Sequence, residues 1–382
     1  MTRTAYFDNA ATTFPKPECV YEAMDSYYRQ AGGSADRGSY EGAVAAGKLL
    51  QDVRILLRKL FHTELHEAIF TSSATEALNL ILRGIGLKDG DVVYISPFEH
   101  NAVRRTLHYL ETRIRISLEY LSVDKKTLQY DVIDIRKKFQ ERRPKLVVMS
   151  HASNVCGVIA PVEEIFSMAK AAGAWTVLDM AQTAGLLDLD LVEVHVDCAV
   201  FAGHKTLFGP FGAAGFMLRH GIRLEPLLYG GTGVDSANPE MPTEGPLRYE
   251  AGSHNMYALA GLQASLTWIM GQGVEAVHGQ EKQNKRRLID ILSRYSFVRM
   301  ITSANQVGVV SAIFNGLSSD EVGRVLSEQG VAVRTGLQCA PEAHRFLGTF
   351  PAGTVRFSIS ALTDEKSFEM LKKALDYIEE NI

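Results

Sequence analysis

Cysteine is scarce. The four in 382 residues, at 19, 156, 198 and 339, are scattered, with no Cys-x-x-Cys or Cys/His pairing. That spacing argues against a disulfide framework and a zinc site, and leaves each thiol to be judged singly. An excess of one charge is also lacking. Forty Lys and Arg against forty-four Asp and Glu give a net charge of -4, which leaves no footprint for nucleic acid. No apolar run is long enough to span a bilayer, and the polar start from Met1 to Tyr6 does not read as a signal peptide. Nucleic acid and membrane are therefore not expected partners, and a reducing cytoplasm is the expected home of a working thiol. There is no internal repeat or low-complexity tract. What remains is the composition of an ordinary soluble enzyme, 46% hydrophobic and 22% charged, in a chain long enough for two domains and a large core.

Strand and helix patterns alternate from about Glu67 to Leu218, as βαβ units of an α/β fold require. Helical spacing recurs over 162–172 and 259–270, then over a charged segment at 281–295, over 319–329 and from Asp364 onward. Residues 308–314 read as a strand. The segment 230–246, rich in Gly and Pro, reads as an interface or active-site loop, or simply as a surface loop.

Several strand-like runs end on polar residues. Trp175-Thr176-Val177-Leu178 ends on Asp179, Leu146-Val147-Val148-Met149 runs into Ser150-His151-Ala152-Ser153-Asn154, and Asp91 to Ser96 runs toward His100. Cys198 to Phe201 leads into Ala202-Gly203-His204-Lys205. In an open parallel sheet such ends share one edge, where ligands bind, so His100, Asn154, Asp179 and Lys205 are expected in one crevice. A lysine there leaves water or is pinned, and desolvation lowers its pKa toward use as a Schiff-base amine. Ser73 and Glu76 have the spacing of a capping box ahead of an apolar helical run that stops at Gly84, so a helix N-terminus with free N–H groups and the Thr75 hydroxyl is offered to an anion. Further on, Arg356 lies in the alternating segment Thr354 to Ser360, and Cys339 lies on a loop bounded by Gly336 and Pro341.

Taken in order, these residues resemble the class V aminotransferase and cysteine desulfurase family of fold-type I pyridoxal phosphate enzymes. The resemblance covers nearly the whole chain. Besides the residues above it includes Tyr6 to Thr13, Arg37-Gly38, Ala74-Thr75-Glu76, Gly230-Gly231-Thr232, Arg248 to Gly252 and Arg334 to Pro341. It implies a large domain at 15–259 around a mainly parallel seven-stranded sheet. A smaller α+β domain, formed by 1–14 and 260–382, is implied beside it.

For pyridoxal 5'-phosphate the resemblance implies Lys205 as the covalent attachment, Asp179 at the pyridine nitrogen, Gln182 at the phenolic oxygen and His100 over the ring face. Thr75 and His204 would hold the phosphate, with Thr232 reaching it from the neighbouring subunit of a homodimer. Asn154 and Arg356 would orient the substrate, Arg356 by clamping its carboxylate. Ala202 is a departure, since many desulfurases have a phosphate-binding Ser or Thr there. Cys339 separates desulfuration from transamination, because an attacking thiolate is needed only for the former. Arg334 and His344 are its sequence neighbours with the chemistry to favour that thiolate. Cys19, Cys156 and Cys198 read as structural.

The implied reaction converts L-cysteine to L-alanine. Sulfur is held as a Cys339 persulfide and passed to an acceptor protein, in the sulfur mobilisation that serves iron–sulfur cluster assembly, nucleoside thiolation or thio-cofactor synthesis. The short loop around Cys339 is similar to the SufS-like group II branch. Lysis of L-selenocysteine, or a transaminase or β-lyase reaction indifferent to Cys339, would use the same scaffold; a catalytically silent scaffold that only binds partners is a third alternative.

Overall fold

Ten runs of four to six residues, mostly apolar and β-branched, and two runs of two residues form the strands. In chain order these are β1 (Ala5–Tyr6), β2 (His66–Thr71), β3 (Val92–Ile95), β4 (Ser117–Tyr120), β5 (Leu146–Ser150) and β6 (Trp175–Asp179). There follow β7 (Cys198–Ala202), β8 (Ala214–Arg219), β9 (Val298–Ile301), β10 (Val309–Phe314), β11 (Val331–Ala332) and β12 (Val355–Ser358). The first helices are α1 (Glu18–Gln30), α2 (Glu41–Leu60), α3 (Ala74–Gly84), α4 (Asn101–Glu111), α5 (Val132–Glu141) and α6 (Val162–Ala171). The later ones are α7 (Met256–Gln272), α8 (Val274–Leu292), α9 (Ser319–Glu328), α10 (Pro341–Leu347) and α11 (Glu365–Asn381). The computed structural model describes residues 4–30, 32–35, 38–234 and 237–381. Arg37 and the first three residues, both used in the sequence reading, lie outside the described residues.

Seven strands form the main sheet in the order β2-β8-β7-β6-β5-β3-β4. Every pair from β7 to β4 is parallel, and only β8 runs against its neighbours, so the expected mainly parallel sheet is present. Both faces are covered. Val147 and Met149 pack with Leu50, Val53 and Leu57 of α2, Phe166 of α6 and Leu262 of α7. Leu146 and Val148 point the other way, toward Leu78 and Ile81 of α3 and Val103 of α4. Period-two side chains buried on both faces explain why these strands read as unbroken apolar runs.

A three-stranded antiparallel sheet, β12-β10-β9, shares a separate core with β1, α8, α9 and α11. The chain's start folds back onto this region, where β1 pairs in parallel with β11 through Ala5 and Val331. The division expected at 259/260 falls inside α7. Asn255 caps that helix by accepting from Ala258 N, which carries it three residues further back than the expected start. Gly273, at φ +86°, then breaks the chain between α7 and α8, so the charged helix begins at Val274 rather than 281. No helix among the described residues is long and apolar enough to cross a membrane.

Candidate active site

The C-terminal ends of β3, β5, β6 and β7 open on a cavity of about 340 Å³. His100, Asn154, Asp179, Gln182, His204, Lys205, Arg356 and Cys339 line it, as does Thr75 from α3. The expected convergence on one crevice is therefore found, along with residues from the separate C-terminal sheet. Thr232 does not line it; its hydroxyl approaches the Val234 carbonyl at 3.5 Å in the mostly exposed loop after β8.

Lys205 leaves β7 through a turn with no spare room. A Cβ on Gly203 would lie 2.1 Å from the Ala213 oxygen, while Gly209 N donates to Gly203 O at 2.7 Å. From the other side Thr13 Oγ1 donates to Lys205 O at 2.8 Å, and Thr12 Oγ1 to His204 O at 3.0 Å. The half-buried Lys205 amine has its pKa lowered, chiefly by desolvation; Asp179 opposes that shift. Asp179, at the end of β6, accepts a hydrogen bond from Ala181 N at 2.9 Å, and burial raises its pKa.

The start of α3 also lines the cavity, through Ser73, Ala74 and Thr75. Ser73 caps the helix by accepting from Glu76 N at 3.2 Å. The reciprocal half of the capping box expected from sequence is not formed, because the Glu76 carboxylate accepts from Ser72 N instead. His204 stacks on Phe211 at 4.4 Å between ring centroids, and its buried Nδ1 has no partner. Burial and the nearby Lys205 push the His204 pKa down to about 3, so the ring is neutral at physiological pH. His100 caps α4 through Nδ1, which accepts from Ala102 N at 3.1 Å and leaves the N–H on Nε2. Burial, then Lys205, lowers its pKa to about 4.

Arg356 in β12 points inward rather than to solvent. It is 3% exposed, donates from Nη1 to Asn154 O at 2.9 Å and from Nη2 to Asp8 Oδ1 at 2.6 Å, while its buried Nε lacks a partner. Asn154 Nδ2 in turn donates to the Gln338 carbonyl at 2.6 Å. Cys339 is exposed, whereas Cys156 and Cys198 are buried with their thiol pKa values raised by desolvation. Cys19 is partly exposed.

His344 is not available to deprotonate Cys339, contrary to one expectation from sequence. It is fully buried, with Nε2 bonded to Gln338 Oε1 at 2.8 Å and Nδ1 to Thr349 Oγ1 at 2.7 Å, and burial holds its pKa near 4. Arg334, the other neighbour, does line the cavity.

Sequence reasoning missed Asp8 as the partner of Arg356, the buried contacts of Gln338, and Glu99. Glu99, next to His100 in the chain, is buried and accepts from Ser96 Oγ at 2.6 Å and from Ser150 N and Oγ at 2.8 and 2.9 Å. Desolvation raises its pKa to about 7. The only sequence signal for Glu99 was a carboxylate set between an apolar strand and a candidate site histidine.

The residues present fit pyridoxal phosphate. A helix N-terminus and the orphaned His204 Nδ1 suit a phosphate, a buried carboxylate suits a pyridinium, and a desolvated lysine lies in the same cavity. Ala202 lines the cavity without adding a hydroxyl.

Comparison with known proteins agrees with this chemistry. The chain matches the aminotransferase class-V family over residues 5–371. It is 31% identical to the probable cysteine desulfurase 2 of Mycobacterium leprae (strain TN), over 94% of this chain and 88% of that protein. It is also 31% identical to a probable cysteine desulfurase of Pyrococcus abyssi (strain GE5 / Orsay), over 98% and 93%. The solved apo structure of the cysteine desulfurase of Thermococcus onnurineus NA1 superposes with a TM-score of 0.92 at 31% identity, covering 99% of this chain and 95% of that one. With a lysine, a carboxylate and an exposed thiol gathered at one sheet edge and relatives of this kind along its whole length, the chain belongs to the class-V aminotransferase family, among the cysteine desulfurases.

Proposed function

We propose that the chain is a pyridoxal-phosphate-dependent cysteine desulfurase that converts L-cysteine to L-alanine and holds the released sulfur as a persulfide on Cys339. The observation that carries this reading is the presence of the exposed Cys339 in the same cavity as Lys205 and Asp179. Transamination needs the last two and is indifferent to the first. When bound, the cofactor would supply an electron sink for the substrate's α-carbon.

The protein's own groups divide the remaining work. The α3 N-terminus, Thr75 and His204 would hold the phosphate; Asp179 would keep a proton on the ring nitrogen; Gln182 would face the phenolic oxygen and His100 the ring. Asn154 and Arg356 would hold the substrate carboxylate, Arg356 with the N–H groups that Asp8 and the Asn154 carbonyl leave free. Lys205, its pKa depressed by burial, is suited to take a proton from the α-carbon and return one. The Cys339 thiolate then bonds to the substrate sulfur as the Cβ–S bond breaks, and the electron pair left on Cβ takes up a proton to become the methyl group of alanine. An acceptor thiol attacks the outer sulfur of the persulfide, carries it off and leaves Cys339 as a thiolate again.

Three further parts of the reading rest on the resemblance. Thr232 would reach the phosphate end from a second copy in a homodimer. The acceptor would be a protein that docks beside Cys339 and serves iron–sulfur cluster assembly. The compartment would be the cytoplasm.

The test is the yield of alanine and sulfide from L-cysteine with excess reductant, for the cofactor-loaded wild type beside Cys339→Ala. Equal yields in the wild type and loss of both in the variant are expected. Products that persist in the variant would make this a β-lyase that does not use the thiol.

A further inference from the structure

Cys339 sits in a backbone conformation that its sequence does not favour. Gln338 and Cys339 are consecutive non-glycine residues in the left-handed region, at φ 40° and 58°. Only glycine adopts that region routinely, so two such residues in a row persist only where the surroundings over-determine them.

The surroundings do so here. Asn101 N donates to Cys339 O at 2.7 Å, and Asn154 Nδ2 to Gln338 O at 2.6 Å. The Gln338 side chain is 5% exposed and donates from Nε2 to Thr354 O at 3.0 Å. Its Oε1 can only accept, so the His344 Nε2 at 2.8 Å carries the proton. Nδ1 of the same ring is then bare and accepts from Thr349 Oγ1 at 2.7 Å. Behind the turn, Ala340 and Ala343 pack against Phe98, Val155 and Cys156.

We infer that the buried chain Thr349–His344–Gln338 is a positioning device for the persulfide-forming step: it holds Cys339 over the cavity in a strained turn instead of leaving the thiol to swing. Gln338, His344 and Thr349 are positioning residues, since they act through the backbone of the turn. The same geometry gives Asn154 a second role, as the tie between the substrate end of the cavity and the cysteine turn. The inference rests on the desulfurase reading for its chemical consequence, but the mechanical part stands on the turn alone.

The experiment uses Gln338→Ala and Thr349→Val, the latter nearly isosteric and remote from the reacting atoms. Three quantities are measured: alkylation of Cys339 by iodoacetamide in cofactor-free protein, L-alanine affinity from the visible spectrum of the loaded enzyme, and alanine formed from L-cysteine in a single turnover. In Gln338→Ala, alkylation is expected to accelerate by about ten-fold as the turn opens. The single-turnover rate should fall by about ten- to a hundred-fold while L-alanine affinity stays within about two-fold, because misplacing the nucleophile spares ground-state binding. Thr349→Val should move both rates the same way by a smaller factor. Unchanged alkylation and turnover in both variants would overturn the inference, as would an equal loss of affinity and rate. A wild type that makes no alanine would defeat the desulfurase reading, and the alkylation rates would still decide whether the chain holds the turn.

Discussion

Lys205 and Asp179 set each other's protonation across the cavity. Desolvation lowers the lysine's pKa and the carboxylate raises it again, so removing the carboxylate's charge should depress the lysine further. Capture of pyridoxal by cofactor-free protein, followed by visible absorption, needs the neutral amine. Its rate should therefore rise with pH through a value below the ordinary lysine range, and Asp179→Asn should shift that limb lower still. A limb at the ordinary lysine value would mean that the amine is solvated. At this scale the sequence was informative about Lys205, Asp179, His100 and Cys339, because each follows an apolar run or lies between loop-forming residues. It was silent on Asp8, whose partner Arg356 is 348 positions away, since no local pattern records a contact made only by folding. His344 was misjudged for a related reason. Nearness in sequence to Cys339 said nothing of the Gln338 and Thr349 contacts that occupy both ring nitrogens.

Two nearby segments of the chain fold against each other around the cysteine turn. The segment between α10 and β12 lies so close to the turn that a Cβ on Gly353 would fall 2.3 Å from the Gly336 oxygen, and Gly353 itself has φ +73°. Gly353→Ala should therefore destabilise the protein by about 1–3 kcal/mol and lower alanine formation as well. Thermal melts and product assays on the same sample would check both, and a variant equal to wild type in both would show that the close approach is dispensable. The helices and strands themselves were legible from periodicity, with ends shifted by a few residues. A side-chain cap at Asn255 accounts for the three-residue shift at α7, and a left-handed glycine at 273 for the larger one at α8. The first half of the capping box at α3 was also legible. Its second half was not, because Ser72 competes for the Glu76 carboxylate with two donors.

The whole molecule carries buried titratable groups that pull stability in opposite directions with pH. Glu281 and Glu99 have pKa values raised to about 7 by burial, so both states hold the proton at acid pH and the unfolded state releases it first as pH rises. Their contribution is intact below about pH 4.5 and is lost as pH rises through 7. The buried His100, His151 and His344, lowered to about 4, do the reverse: their contribution is intact above about pH 6.5 and is lost as pH falls toward 4. Stability should peak near pH 6–7. Glu281 accepts from Gly308 N at 2.6 Å, a bond that glutamine would keep. Glu281→Gln should thus raise stability at pH 8 relative to pH 5 by on the order of 2–3 kcal/mol, read from denaturant melts at the two values. An unaltered pH dependence would mean that Glu281 is ionised in the folded protein throughout.

The central claim is that Cys339 takes the sulfur, and mass analysis of the Cys339 peptide tests it most directly. Cofactor-loaded protein is given L-cysteine without reductant or acceptor, alkylated and digested. One added sulfur atom on the Cys339 peptide, matched by an equal amount of alanine and absent when Lys205 is replaced by alanine, is the predicted result. Alanine formed while the Cys339 peptide stays unmodified would contradict it.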